Sequence, residues 1–325
     1  MNRRNLLAGL LGVALLIVSG CGSDVAVSGS RAKAEPPLPA GAEVLTSPPE
    51  APEAPSCVDP TKSLRPGPLP APNALPAGST MADIRAKGKL VVGVDQNTLG
   101  FGYRDPADGA IKGFDIEMAK QITTAIFGTP KALQLRVLTS SQRIPALKSG
   151  QVDIVIRTMT INCERLKDVD FSSVYYLAHQ RVLAKKKAKI AGIEALGGKR
   201  VCATEGSTSL ANIASAESKP VPVQVSDWTD CLVMLQQNQV DAISTDDTIL
   251  AGLAAQDPFT EVVGGSIDDE PYGMAMPDGH EDFVRFVNAV LEKMRTDGTW
   301  TKIYDDSLRE LLGAAPALPP VLYRD

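Results

Sequence analysis

The chain has 325 residues, 44% of them hydrophobic and 5% aromatic, with a formal charge of −5; this is enough apolar content for two domains with cores of their own. A mildly acidic balance without a long basic tract argues against a nucleic-acid partner, and the Lys185-Lys186-Lys187 run reads as a solvated loop. Two histidines, His179 and His280, and five cysteines without a CxxC spacing argue against a zinc site, so neither metal nor cofactor is expected.

The chain opens on Met1-Asn2-Arg3-Arg4, continues with an apolar stretch over 6–18 and reaches Ser19-Gly20-Cys21. A basic start, a short apolar core and small residues before a cleavage point describe a secretory signal over 1–20. The apolar stretch is too short for the roughly 20 residues of a membrane span. Val18-Ser19-Gly20-Cys21 resembles the lipobox of bacterial lipoproteins, which implies that Cys21 becomes the lipid-modified first residue of an extracytoplasmic chain anchored to the membrane. Cys57, Cys163, Cys202 and Cys231 then remain; an oxidising compartment favours disulfides, and four cysteines allow three pairings. Residues 22–80 hold 13 of the 24 prolines and no aromatic residue. Such a composition does not offset its own ordering entropy, so 21–80 reads as a lipidated cysteine followed by a semi-rigid linker. Cys57 is the exception, expected to be tied back to the folded body.

Folded sequence begins near Met81, with a short helix over 82–87 and an apolar, β-branched strand over 89–94. Gly113-Phe114-Asp115 opens a helix with Asp115 as its N-cap and Ile116, Met118, Ala119, Ile122 and Ile126 on one face. A strand over 133–138, a helix over 144–148 stopped by Gly150, and a strand over 152–156 follow. This alternation signals a parallel α/β sheet. It also recurs: 88–91 (GKLV) is echoed by 198–201 (GKRV), and 147–153 (LKSGQVD) by 235–241 (LQQNQVD). Gly150 and Asn238 occupy equivalent places, and both residue types tolerate the left-handed conformation that ends a helix. Two lobes with similar internal logic account for the echoes better than one long sheet.

The inventory for catalysis is thin. The sequence has no GxSxG, P-loop, GxGxxG or HExxH motif. Three strand-end segments are richer in binding chemistry. Thr158 to Arg165 follows the strand that ends near Ile156, where open α/β sheets place their ligands, and Arg165 can grip a carboxylate at two points; a surface pair between Arg165 and Glu164 is the competing reading. Thr204 to Ser209 joins a strand to a helix start whose amides and hydroxyls suit an anion, although the same residues would serve as an ordinary helix cap. Ala242 to Asp247 ends a third strand with paired acids. Asp247 suits the cap of the following helix, which leaves Asp246 to face a cleft and neutralise an ammonium group.

Together these segments resemble the polar amino-acid-binding proteins of bacterial ABC importers, solute-binding family 3. The matching stretches include Gly113-Phe114-Asp115-Ile116, Thr160-Ile161-Asn162-Cys163-Glu164-Arg165, Val169-Asp170-Phe171-Ser172, Gly206-Ser207-Thr208, Pro271-Tyr272-Gly273-Met274-Ala275 and Asp297-Gly298-Thr299-Trp300. They span roughly 81–310 in consistent order and are most similar to glutamine-binding lipoproteins. The resemblance implies a two-lobed α/β fold of the periplasmic-binding-protein type II, with a ligand cleft between the lobes. Lobe 1 would comprise 81–183 plus 270–325, and lobe 2 would comprise 184–269. It further implies that Arg165 holds the α-carboxylate, assisted by Thr158, Thr160, Ser207 and Thr208, and that Asp246 takes the α-ammonium. Asp95 would meet the ligand side chain, and Phe101 or Tyr103 would supply an aromatic wall. Ser140 stands where a second aromatic residue is usual, and Arg157 where a small residue is common. Arg143 sits where acidic-amino-acid binders place an arginine, which implies aspartate or glutamate first and asparagine or glutamine next. The resemblance also pairs Cys202 with Cys231 and Cys57 with Cys163. The expected partner is an ABC permease or, alternatively, a membrane sensor. An enzyme reading, a dehydratase on the same fold, is disfavoured by the scarcity of histidines.

Overall fold

Leu90–Val94 is apolar throughout because it is buried on both faces, as strands of parallel sheets are. In the computed structural model, which describes residues 37–46 and 57–325, this strand pairs in parallel with Leu133–Val137 on one side and Ile154–Val155 on the other. Ala275–Pro277 and Val169–Phe171 complete a five-stranded sheet. Gly93 is needed at its centre: a Cβ there would lie 2.6 Å from Leu138 Cδ1 and 2.9 Å from Val155 Cγ2. Helix Phe114–Phe127 buries Ile116, Met118, Ala119, Ile122 and Ile126, the face its periodicity predicts. Its cap differs from expectation. Gly113 holds the N-cap position with φ 126°, where a Cβ would lie 2.4 Å from Phe101 O. Asp115 therefore falls inside the first turn and points into the protein. Helices Thr80–Ala86, Glu281–Thr296 and Thr299–Ser307 pack with it around one aromatic-rich core that includes Phe101, Phe114, Tyr176, Trp300 and Tyr304.

A second, six-stranded sheet runs in the order Glu43–Val44, Val221–Val225, Arg200–Thr204, Ala242–Asp246, Tyr176–Lys185, Thr260–Tyr272. Arg200–Thr204 pairs in parallel with both neighbours. A separate core, with Trp228, Leu232, Leu235, Ile249 and Leu253, covers this sheet. The chain passes from the first core to the second through Tyr176–Lys185 and returns through Thr260–Tyr272. These two crossing strands pair antiparallel from Tyr176 opposite Tyr272 to Lys185 opposite Thr260, with a register shift between Val263 and Asp268.

The sequence echoes correspond to one physical device used twice. Gly150 and Asn238 both adopt positive φ, 66° and 60°. The aspartate three residues on then closes each unit against the start of its own first strand: Asp153 Oδ2 accepts from Val91 N at 2.8 Å, and Asp241 Oδ2 accepts from Arg200 N at 2.9 Å.

The signal segment 1–20 and Cys21 lie outside the described residues. Where the proline-rich stretch is described, it departs from a free spacer. Glu43 and Val44 pair with Gln224 and Val223 on the edge of the second sheet. Leu64 is buried in the first core, and Asn288 Nδ2 donates to both Ser63 Oγ and Leu64 O. Proline has little backbone freedom to lose, so a few apolar anchors are enough to dock such a chain. Composition alone overstates the entropy to be overcome.

Cys57 is bonded to Cys163 and Cys202 to Cys231, each pair with Cα atoms 5.6 Å apart. The second closes a loop of 29 residues. Replacing Cys202 and Cys231 together by alanine is expected to lower unfolding stability by about 3–4 kcal/mol, measured by denaturant titration. A loss below about 1 kcal/mol would show that the bridge does not constrain the unfolded chain.

Candidate functional site

Four loops at the carboxyl ends of strands, 157–165, 204–209, 245–247 and the one after strand Leu133–Val137 that carries Ser140 and Arg143, converge on the gap between the two cores, together with a helix start that the sequence did not single out. The first loop, 157–165, is held in an uncommon conformation. Thr158 has φ 38° and its N–H donates to Asp115 Oδ2 at 3.0 Å. Tyr175 Oη donates to the other oxygen of Asp115 at 2.8 Å. Farther along, Ile161 N donates to Pro271 O and Gly273 N to Met159 O, which ties the loop to the end of the second crossing strand.

That scaffold turns Arg165 inward. Its Nη1 donates to Thr160 O at 2.6 Å and its Nη2 reaches the other lobe, donating to Gly206 O at 3.2 Å. Glu164 pairs instead with Lys167 at 2.7 Å, so the surface-pair reading of Arg165 is not the one adopted. Arg143 approaches the same carbonyl: Nε donates to Ser140 O at 2.9 Å and Nη2 to Gly206 O at 3.2 Å. Burial, then the neighbouring Arg165 and Arg157, pulls the pKa of Arg143 well below the usual arginine value. Gly206 makes this meeting of lobes possible, because a Cβ would come within 2.8 Å of Ser141 Cα and its φ is +73°.

From the second lobe, Ser207 caps helix Thr208–Ser215 by accepting from Leu210 N at 3.1 Å, so the cap reading holds for this hydroxyl. Asp246 occupies the backbone N-cap position of helix Asp247–Gln256 without capping it through its side chain. Asp247 does that work, accepting from Thr248 N at 2.8 Å. The Asp246 carboxylate is freed for the cleft, where Tyr272 Oη donates to it. Burial, followed by the charge of Glu270, pushes the pKa of Asp246 well above the ordinary carboxylate range, against the pull of the Tyr272 hydrogen bond.

Arg143, Thr158, Thr160, Arg165, Ser207, Thr208 and Asp246 all line one small polar cavity. Asp95 and Phe101 do not. Asp95 accepts from Gln96 N, Asn97 N and Thr98 Oγ1, and its Oδ2 lies 3.1 Å from Arg157 Nη2, an ion pair without directed hydrogen-bond geometry. Arg157 thus neutralises Asp95 beneath the cavity. Phe101 is fully buried and packs edge-on to Tyr176 at 5.4 Å and Tyr272 at 6.1 Å, while Tyr103 lies on a small outer sheet opposite Asn97 and Lys112. The aromatic residue at the cavity is Trp228, the first residue of helix Trp228–Gln236. Its position just past strand Val221–Val225, the same strand-end rule that selected the other loops, is the signal that could have found it. Ser140, Ser209, Thr245 and Ile249 complete the lining.

Burial raises the Asp115 pKa from 3.8 to about 7, with the Tyr175 hydroxyl opposing the shift. A carboxyl whose pKa is raised by folding contributes stability that is present below its unfolded value and lost as pH rises through the folded one. Between pH 3.8 and about 7 this group therefore favours unfolding progressively more. Asp115→Asn is expected to remove part of the fall in unfolding temperature over that window; an unchanged pH profile would show that Asp115 does not titrate there.

A family model of the bacterial extracellular solute-binding proteins, family 3, matches residues 90–310. The chain is 40% identical over 232 residues to the glutamine-binding protein of an ABC transporter in Bacillus subtilis (strain 168), covering 71% of this chain and 85% of that protein. It is 30% identical to an L-glutamate/L-aspartate-binding protein of Pseudomonas aeruginosa, over 70% of this chain and 78% of the other. Among solved structures, an ancestral arginine-binding protein bound to glutamine superposes with a TM-score of 0.64 at 34% identity, over 68% of this chain and 98% of that one.

Proposed function

This chain belongs to the bacterial extracellular solute-binding proteins, family 3, and we propose that it captures a polar amino acid between its two α/β lobes for uptake by an ABC importer. The observation that carries this reading is charge placement. Arg165 and Asp246 bring a cation and an anion to one buried polar cavity, the complement of a zwitterion whose carboxylate meets the guanidinium and whose ammonium meets the carboxylate. Thr158 adds a hydroxyl, the loops at Thr160, Ser207 and Thr208 add backbone groups while their hydroxyls are held by Glu270 and by the helix cap, and Trp228 supplies the apolar wall. Closure exchanges water for these fixed groups, and no chemistry on the ligand is required.

The side-chain preference follows from Arg143. A second guanidinium lining the cavity favours aspartate or glutamate first, with asparagine or glutamine next; the side chain meets Arg143 rather than Asp95, which is already paired with Arg157. Relatives named for glutamine and for glutamate and aspartate support both members of this ranking. Cys21 would carry the lipid that keeps the protein at the outer face of the membrane; among the described residues no helix is long and apolar enough to cross one. The test is calorimetric titration of a soluble form from Ser23, unfolded and refolded to remove carried-over ligand, with aspartate, glutamate, asparagine, glutamine and arginine. Acids binding ahead of amides is the expected order. Arginine binding as tightly as glutamate would overturn the ranking, and silence across the set would overturn the amino-acid reading.

A further inference from the structure

Behind the cavity stands a second carboxylate that the binding scheme does not use. Glu270 lies near the end of the second crossing strand, opposite Ala178 of the first, and its side chain is fully buried. Its Oε2 accepts from two hydroxyls on opposite lobes: Thr160 Oγ1, on the loop that carries Arg165, and Thr208 Oγ1, at the start of the second lobe's helix, at 2.8 Å. Its Oε1 has no hydrogen-bond partner among the described residues. The backbone beyond it, Pro271 and Gly273, is bonded to the same loop at Ile161 and Met159.

A buried carboxylate is tolerated only to the extent that it is hydrogen-bonded, and here one oxygen holds both donors. Lobes joined by two strands open by rotation about those strands. Thr160 is tied to the crossing strand and stays with Glu270, whereas Thr208 moves with its own lobe. We propose that Glu270 is a positioning residue that couples the two halves of the binding site: its carboxylate holds Thr160 and Thr208 together only when the lobes meet, so that ordering of the Arg165 loop and closure of the second lobe reinforce each other. The inference rests on the binding function proposed above and assigns Thr208 an indirect part in it.

A double-mutant cycle tests the coupling, with Thr208→Val and Glu270→Gln made singly and together and glutamate and glutamine as the titrated probes. Thr208→Val is expected to weaken binding roughly tenfold in the native background, the effect of removing one hydrogen bond to a charged group, and by less than about threefold once Glu270 is glutamine. Thr208→Ser, which keeps the hydroxyl, should bind like the native chain. Equal losses in both backgrounds would mean that Thr208 acts on the ligand directly, which overturns the proposal. The unfolding midpoints of the same four ligand-free proteins give a second reading of the cycle. If the native chain binds neither amino acid, the functional reading fails, and the midpoints decide the coupling alone: non-additive shifts uphold it and additive shifts refute it. Should Glu270→Gln not fold, Thr160→Val takes its place in the cycle.

Discussion

Arg165→Ala is expected to weaken amino-acid binding by roughly 100-fold or more, the usual result of removing one partner from a buried, hydrogen-bonded charge pair. The side chain is buried, bridges Thr160 O to Gly206 O and lines the polar cavity. A ligand carboxylate left there without its cation is desolvated and uncompensated. The same substitution removes two hydrogen bonds to carbonyls, one in each lobe, so some loss of closure accompanies the loss of charge. Arg165→Lys separates the two contributions: the charge remains and the planar two-point grip does not. Lysine is expected to recover only a minor part of the affinity. Calorimetry measures both variants, and native-like thermal unfolding establishes that each is folded. Binding within threefold of native in the alanine variant would remove Arg165 from the ligand site.

Asp246→Asn is expected to separate binding from stability, moving them in opposite directions. Burial and the charge of Glu270 raise the pKa of Asp246 in the folded chain, so its ionised form opposes folding. The stability this group contributes is present below the ordinary aspartate value and is lost as pH rises through the raised one. Neutral asparagine removes that burden, and at a pH where the native Asp246 is ionised the ligand-free variant should unfold at a higher temperature than the native chain, as substitutions at strained binding sites commonly do. Ligand affinity should fall by roughly 100-fold, because the ammonium loses its counter-charge. The pH dependence of binding has the opposite sign to that of stability. An ammonium ligand requires the ionised carboxylate, so native affinity should weaken as pH falls through the raised Asp246 value and the group takes up a proton. In the asparagine variant this dependence should largely vanish. A variant that binds as the native chain does, or that loses binding only because it no longer folds, would show that Asp246 is not the ammonium partner.

The amino-acid sequence by itself determined the alternation of strand and helix, the helix face from Ile116 to Ile126, the turns at Gly150 and Asn238, and the strand-end loops that hold Arg165, Thr208 and Asp246. Each depends on local causes: period, turn stereochemistry and the rule that parallel strands present their carboxyl ends to a ligand. Tertiary structure alone decided where side chains found partners across long separations. Asp115 looked like a helix cap, but the close approach of Phe101 O requires glycine at position 113, and the displaced carboxyl became the support for Thr158. Asp95 looked like a ligand contact, yet Arg157, 62 positions later in the chain, neutralises it. Phe101 entered the aromatic core instead of a cavity wall, and Trp228 came to the cavity from a helix with no binding motif. Glu270 meets Thr160 and Thr208 only because two crossing strands bring both lobes to one point. A buried charge must be paired, but its partner is set by packing between segments distant in sequence, and local sequence does not encode that choice.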